Sequence, residues 1–246
     1  MCGQAFRWKA GADGWFTGIV GQRVCRLRQI GTTLEGDIDR HYLGLDVSLL
    51  DIVATFPNDD VLHLAVRKHW GLRVLRQEPW ETLASFIASS TKQIVQIRQI
   101  IEHLSRRFGQ PLNDDAYTFP SAATIAGATL PELRACKLGF RAEYLLAAAQ
   151  MIDRGELCLE ALPKMEYERA LEELQKIHGV GEKVSNCALL FSCGFDQAFP
   201  VDVWMKRALH RLGWHSKKIT RKAVLAHFGP YAGWAQQYLF FSERSR

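Results

Sequence analysis

The first 45 residues carry short runs rich in β-branched, aromatic and apolar residues: "GWFTGIV", "RVCRLRQI" and "TTLEGDI". The turn signals "GADG", "GQ" and "IGT" separate them, a pattern that predicts an antiparallel meander. From about Asp46 the apolar spacing becomes helical. "DVSLLDIVATF" and "NDDVLHLAVRKHW" predict two helices, with Asp46 and Asn58 placed to cap their N-termini. The clearest helix is "KQIVQIRQIIEHLSRRFG", where Ile94, Ile97, Ile101, Leu104 and Phe108 recur at spacings of three and four and Gly109 ends the run. Further helical segments are predicted at 80–91, 131–136, 140–154, 163–177, 182–194, 203–212, 220–228 and 231–242.

This division predicts an α+β protein, with a small N-terminal antiparallel β-sheet domain over 1–45 and a large all-helical region over 46–246. Inside the helical region, "LEELQKIHGVGEKVSNCALLF" reads as helix, Gly179-Val180-Gly181 turn, helix. That places a helix–hairpin–helix motif near 165–194, with Leu171, Leu174 and Ile177 inward on its first helix and Val184, Ala188 and Leu189 inward on its second. No internal repeat or low-complexity stretch interrupts the chain.

Composition narrows the class. Of 246 residues 48% are hydrophobic and 23% charged, as in a globular protein. No apolar run approaches the roughly 18–20 residues that span a bilayer, and the start, "CGQAFRWKAG", has neither a signal-peptide core nor a transit pattern. A soluble intracellular protein is expected. The net charge of +5 tilts modestly toward a polyanionic partner. Cys2, Cys25, Cys136, Cys158, Cys187 and Cys193 are scattered with no C-x-x-C pair, so free thiols are expected and neither a structural zinc nor an iron–sulfur cluster is.

Candidate chemistry gathers around the hairpin. Its glycines permit positive φ and close backbone approach, so turn N–H groups could meet a DNA phosphate; a plain αα-hairpin would look the same. Lys183 falls in the first turn of the second helix, where the macrodipole disfavours a cation. Two roles fit it: a partner for phosphate or solvent, or an amine nucleophile whose reactivity depends on losing its proton. Asp202 lies 202 − 183 = 19 residues on, after Pro200, placed to cap the helix "VWMKRALHRLGW". A carboxylate held by helix N–H groups stays in place, and could stabilise an oxocarbenium-like sugar as a glycosidic bond breaks. A fixed amine beside it suits N-glycosidic cleavage through an imine.

With these residues, "HGVGEKVSNC…FPVDVWM" resembles the helix–hairpin–helix, Gly/Pro-Asp superfamily of DNA glycosylases, and is most similar to its eukaryotic-type 8-oxoguanine DNA glycosylase/AP lyases. "CGQAFRW", "LRQEPWETLASFIASS", "LGFRAEYL" and "FGPYAGWAQQYLFFS" extend the likeness in order over nearly the whole chain. The resemblance implies that Lys183 is the Schiff-base nucleophile at the sugar C1′ and Asp202 the catalytic aspartate. It implies that the backbone carbonyl of Gly3 accepts the N7–H found on oxidised guanine alone. It further implies that Cys187 and Phe240 sandwich the flipped base while Gln236 bonds its Watson–Crick edge. Cys187 follows Lys183 by four residues, and Phe240 follows Gln236 by four, which places each pair on one helix face.

By the same resemblance Gly179, Val180 and Gly181 hold DNA, Arg141 meets the cytosine opposite the lesion and Phe140 is a wedge beside it. Three positions depart from the family: Thr91 replaces an asparagine, Gln96 an arginine that reads the orphan cytosine, and Trp204 a histidine that contacts phosphate. The family's preceding strand is also missing before Gly3, as expected of a truncated or reduced first sheet. The implied activity is a bifunctional glycosylase and lyase acting as a monomer on double-stranded DNA containing oxidised guanine, with no cofactor, no metal and no membrane. A cation bound by hairpin backbone groups is compatible with this. The implied setting is the nucleoid of a bacterium or the nucleus of a eukaryote. The competing readings are a sister glycosylase for another damaged base, which usually carries a four-cysteine C-terminal cluster, and a non-catalytic damage-binding module.

Overall fold

The structure is a computed structural model and describes residues 3–215 and 219–245. Cys2 lies outside them; the other five cysteines are free thiols.

The predicted meander forms a four-stranded antiparallel sheet in sequence order: β1 Lys9–Ala10, β2 Phe16–Val20, β3 Arg23–Ile30 and β4 Thr33–Gly36. β2 to β4 are the three expected runs, and β1 is a two-residue addition. Val20 pairs with Arg23 and Ile30 with Thr33, so each hairpin closes through two residues led by a glycine at φ +57°. The Trp8 ring lies so close over Gly18 that a Cβ there would come within 2.3 Å of it. Trp8 donates its indole N–H to the Tyr42 hydroxyl at 2.9 Å, and its carbonyl accepts from Arg98 at 2.7 Å, which ties the sheet to the helical part.

Helices α1 Leu49–Ala54 and α2 Asp60–Lys68 follow. Their caps differ from the expected ones: Ser48 accepts from the Asp51 N–H, and Asp59 accepts from Val61 and Leu62. Asp46 is instead bonded to His41 at 2.7 Å, and in both cases the chain turns helical one or two residues later than the spacing suggested. α3 Pro79–Ala88 has proline at its first position and Glu78 capping Trp80 and Glu81. From Trp80 to Ala88 every residue but Glu81 is buried, so this helix runs through the middle of the core rather than along its surface. It stops at Ala88, three residues short of the predicted 91.

α4 Ile94–Phe108 buries Ile97, Ile101 and Leu104 of the expected stripe, with Ile94 and Phe108 half-buried at its ends. Gly109 has φ −82°, and a Cβ on it would come within 2.0 Å of the Thr118 carbonyl. Close backbone approach, not left-handed geometry, therefore demands glycine there. α5 Ala122–Ala126 was not predicted; α6 Leu130–Ala135 and α7 Arg141–Asp153 were. The predicted 163–177 helix divides into a 3-10 segment, Leu159–Lys164, and α8 Tyr167–Gln175, with extended backbone at Met165 and Glu166 and Pro163 withholding an N–H. α9 Glu182–Ser192, α10 Val203–Arg211, α11 Arg221–Phe228 and α12 Ala232–Arg244 complete the helices. Trp234, Tyr238, Phe191, Phe228, Leu83 and Ile101 form the centre of one continuous core.

Two polar devices lock this packing. Gln4, 1% exposed, donates to the Arg73 carbonyl at 2.8 Å and accepts from the Leu75 N–H at 2.9 Å, while its own carbonyl accepts from Gln77. The N-terminal segment is thereby held alongside 73–77. Asp196 pairs with Arg76 at 2.7 Å and accepts from the Trp234 indole at 2.9 Å, joining the α9–α10 connection to α12. Among the described residues no helix is long and apolar enough to cross a membrane.

Candidate active site

The hairpin turn gives its two glycines different reasons to exist. Gly179 has φ +81°, and a Cβ on it would sit 2.2–2.4 Å from the Tyr144 ring on α7. Gly181 has φ −101° and would place a Cβ in open space. Val180 is 5% exposed, its side chain turned into the core, so only backbone faces outward at the turn. Gly181 is the N-cap of α9 with no side chain capping it, which leaves first-turn N–H groups for an external anion.

Lys183 is half-buried at the start of α9. Its Nζ donates to the Ser89 Oγ at 2.8 Å and lies 5.1 Å from the centre of the Phe86 ring. Ser89 in turn donates to the Phe86 carbonyl at 2.7 Å. Asp202 caps α10 as its position suggested, with one carboxylate oxygen accepting from Trp204 at 3.0 Å and Met205 at 2.9 Å. Cys187 lies one turn beyond Lys183 on α9. Burial pushes its thiol up to about 11, with the Lys183 charge opposing and the Asp202 charge reinforcing the shift. Cys187 is 3% exposed and stays a neutral thiol, unsuited to nucleophilic attack.

The stretch leading to Asp202 is anchored by Asn186, one residue before Cys187. Its side-chain oxygen accepts from the Phe199 N–H at 3.1 Å and from the Tyr167 hydroxyl, and its amide donates to the Glu182 carbonyl at 2.8 Å. The extended approach through Pro200 is thus bonded directly to α9. Gln236 reaches the same stretch, donating to the Pro200 carbonyl at 3.1 Å and accepting from Gln237 at 2.6 Å. On α12, Phe240 packs against Gly3, whose φ is +77° and whose added Cβ would lie 3.3 Å from the ring. Gly3 therefore meets Phe240 on α12, and Gln236 on the same helix meets the Pro200 stretch that Asn186 ties to α9.

A second cluster forms just past α3. Arg141, 3% exposed, donates through Nε to the Ser90 carbonyl at 2.6 Å, through Nη1 to the Leu138 carbonyl at 3.1 Å and through Nη2 to the Thr91 hydroxyl at 2.5 Å. Its guanidinium lies 4.2 Å from the centre of the Phe140 ring, and Phe140 is 52% exposed. Gln96 is apart from this cluster, its amide oxygen occupied in capping α4 by accepting from the Gln93 N–H at 3.0 Å. Trp204 is half-buried with the Arg207 guanidinium 4.8 Å over its ring. Lys206, Arg207, His210 and Arg211 line the exposed face of α10.

Sequence reasoning missed Ser89, Asn186 and Gln4. A buried asparagine one turn from the lysine, and a serine ending an apolar helix, were the available signals. Neither names its partner. Among the described residues no group of three or more His, Cys, Asp or Glu side chains could hold a metal ion.

A glycine-turned helical hairpin carrying a lysine, followed by an aspartate cap after proline, defines a class. Residues 84–231 match the HhH-GPD superfamily of base excision DNA repair proteins, and the chain belongs to that superfamily. Within it, residues 1–83 match the N-terminal domain of 8-oxoguanine DNA glycosylase. The chain is similar to N-glycosylase/DNA lyase OGG1 of Arabidopsis thaliana, 30% identical over 98% of this chain and 75% of the relative. It is 32% identical to the N-glycosylase/DNA lyase of Saccharomyces cerevisiae over 82% of this chain and 65% of the relative. The solved Clostridium acetobutylicum 8-oxoguanine glycosylase/lyase, in complex with DNA containing cytosine opposite 8-oxoG, superposes with a TM-score of 0.93 at 33% identity, covering 99% of this chain and 89% of that one.

Proposed function

We propose that this chain is a bifunctional DNA glycosylase/AP lyase that removes 8-oxoguanine and related oxidised purines from duplex DNA. The observation that carries the reading is a lysine half-buried at the start of α9, its Nζ bonded to the Ser89 hydroxyl, together with an aspartate fixed by two N–H groups as the cap of α10. In the reaction, the extruded nucleotide enters between Cys187 and Phe240. The unprotonated Lys183 amine attacks C1′, and the N-glycosidic electron pair leaves with the base, which takes up a proton. The Asp202 carboxylate, fixed by two helix N–H groups, stabilises the positive charge that develops on the sugar. Opening of the sugar ring yields the Schiff base between Lys183 and C1′. Loss of a proton from C2′ then expels the 3′ phosphate by β-elimination and nicks the strand.

The Gly3 carbonyl reads N7–H, and the Gln236 amide reads the Watson–Crick edge. The uncapped first turn of α9 holds a phosphate, aided by the exposed cations of α10. The enzyme acts as a monomer where the genome is kept, the nucleoid or the nucleus. Borohydride trapping on a duplex with 8-oxoguanine opposite cytosine tests the reading. A covalent adduct is expected with the natural chain and none with Lys183→Gln. An adduct that persists in Lys183→Gln, or no adduct with the natural chain, overturns it.

A further inference from the structure

Gln236 and Gln237 are consecutive on α12, and each is 3% exposed. Neighbours in sequence point roughly 100° apart around a helix and do not ordinarily meet. Here they do: the Gln237 Nε2 donates to the Gln236 Oε1 at 2.6 Å. The Gln236 Nε2 donates in turn to the Pro200 carbonyl at 3.1 Å. Two buried amides thus form a relay that ends on the stretch leading into Asp202.

The relay has one polarity. A backbone carbonyl only accepts, so Pro200 draws the Gln236 nitrogen toward itself and leaves the oxygen facing Gln237. Gln237 must then present its nitrogen, since turning it over would set two oxygens against each other. Its own Oε1 is left buried, with no hydrogen-bond partner among the described residues. An unpaired buried acceptor is costly, and its presence calls for a reason outside packing. The consequence falls on Gln236. An amide free to turn about its last bond offers its donor and acceptor in either order. Held at both ends, Gln236 keeps one N–H and one oxygen lone pair in a fixed order.

We propose that Gln237 is a positioning residue for purine selection: by clamping the Gln236 amide it blocks the rotation that would let an adenine edge be read in place of a guanine edge. The inference rests on the reading above, in which Gln236 meets the Watson–Crick edge of an extruded oxidised purine. Guanine sets an acceptor, O6, beside a donor, N1–H; adenine sets an amino donor beside an acceptor, N1, in the reverse order. A clamped amide matches one edge and meets the other donor to donor and acceptor to acceptor. 8-Oxoguanine and 8-oxoadenine both carry N7–H and a C8 carbonyl, so the Gly3 contact does not separate them. The separation falls to this amide.

The test measures single-turnover excision from one duplex carrying either 8-oxoguanine or 8-oxoadenine opposite cytosine, and reads the ratio of the two rates. The natural chain is expected to favour 8-oxoguanine about 10- to 100-fold, the usual worth of a paired base edge. Gln237→Leu should cut that ratio at least about fivefold, the worth of roughly one hydrogen bond. The fall should come chiefly from faster excision of 8-oxoadenine, whereas a merely loosened fold would slow both bases. Gln237→Met, closer in length and equally without a donor, serves where the leucine variant fails to fold. In a Gln236→Ala background the same replacement should leave the ratio within about twofold, because no amide remains to be held. The proposal is overturned by a natural ratio near one, by a ratio that survives in either Gln237 variant, by a fall due to slower 8-oxoguanine excision alone, or by an equal fall in the Gln236→Ala background. A natural chain that excises neither base overturns the underlying reading and the proposal with it, and does so before any variant is made.

Discussion

Replacing Gly179 with alanine makes the sharpest demand on the hairpin. The substitution meets two separate costs. A left-handed backbone disfavours a Cβ by about 1–2 kcal/mol, and φ at this position is +81°. The new methyl would also lie 2.2–2.4 Å from three carbons of the Tyr144 ring, so ring or turn must shift; overpacking of this kind costs typically 1–3 kcal/mol. Together they give a loss of about 2–5 kcal/mol, out of a domain stability on the order of 5–15 kcal/mol. Urea denaturation reads the loss as a lower midpoint at unchanged slope. Adding Tyr144→Ala should recover the steric part and leave the backbone part, which the double-mutant cycle resolves.

Gly181→Ala is the paired control. Its φ is −101° and its Cβ meets nothing within 4 Å. Stability should therefore change by no more than about 1 kcal/mol, the preference of an N-cap for glycine over alanine. Affinity for DNA should still fall roughly tenfold, because the methyl intrudes where phosphate would approach the turn N–H groups. If Gly179→Ala costs under about 1 kcal/mol, or if Gly181→Ala is as destabilising as Gly179→Ala, the geometric assignment of the two glycines is wrong.

Three further outcomes are expected. Ser89→Ala, which removes the hydroxyl accepting from Lys183 at 2.8 Å, should slow borohydride trapping about tenfold and leave binding to an abasic-analogue duplex within about twofold; an equal loss in both would mean that Ser89 does not aim the amine. Cys187 and Cys193 both have thiols pushed up to about 11 by burial. The folded state therefore holds these protons more tightly than the unfolded chain. Their stabilisation is complete below the unfolded thiol value of about 8.5 and is lost as pH rises toward 11. Urea midpoints from pH 8 to 11 should fall, with a shallower slope in a Cys187→Ala/Cys193→Ala double variant; an unchanged slope would show the thiols are not responsible. Asp196→Ala removes the carboxylate shared by Arg76 and the Trp234 indole, leaving Arg76 only the Leu190 carbonyl. It should cost about 2–4 kcal/mol in equilibrium unfolding, more than truncation of an exposed ion pair such as Arg154 with Glu156.

The sequence alone determined whatever depends on neighbours a few residues away. A stripe recurring every three or four positions specifies α4 because those side chains share one helix face, and the same logic wrote α7 and α9 to α12 with boundaries off by a residue or two. Asp202 after Pro200 specified its own cap, since the N–H groups it accepts from lie two and three residues on. The hairpin was legible for the same reason, and ordered motifs along the chain pointed to the family. Caps at Asp46 and Asn58 failed because a competing oxygen stood nearby in each case, at Ser48 and Asp59, and local pattern does not rank them.

Tertiary structure decided what depends on distant partners. Ser89 bonds Lys183 across 94 positions, and Gln4 bonds Arg73 across 69. Two glycines one residue apart read alike as letters, yet only Gly179 is forced, because the Tyr144 ring arrives from α7. Thr91 went further and defied local preference, its left-handed backbone held by an arginine 50 residues away. Backbone propensity is a sum of small local terms, and a buried guanidinium with three fixed acceptors outweighs it.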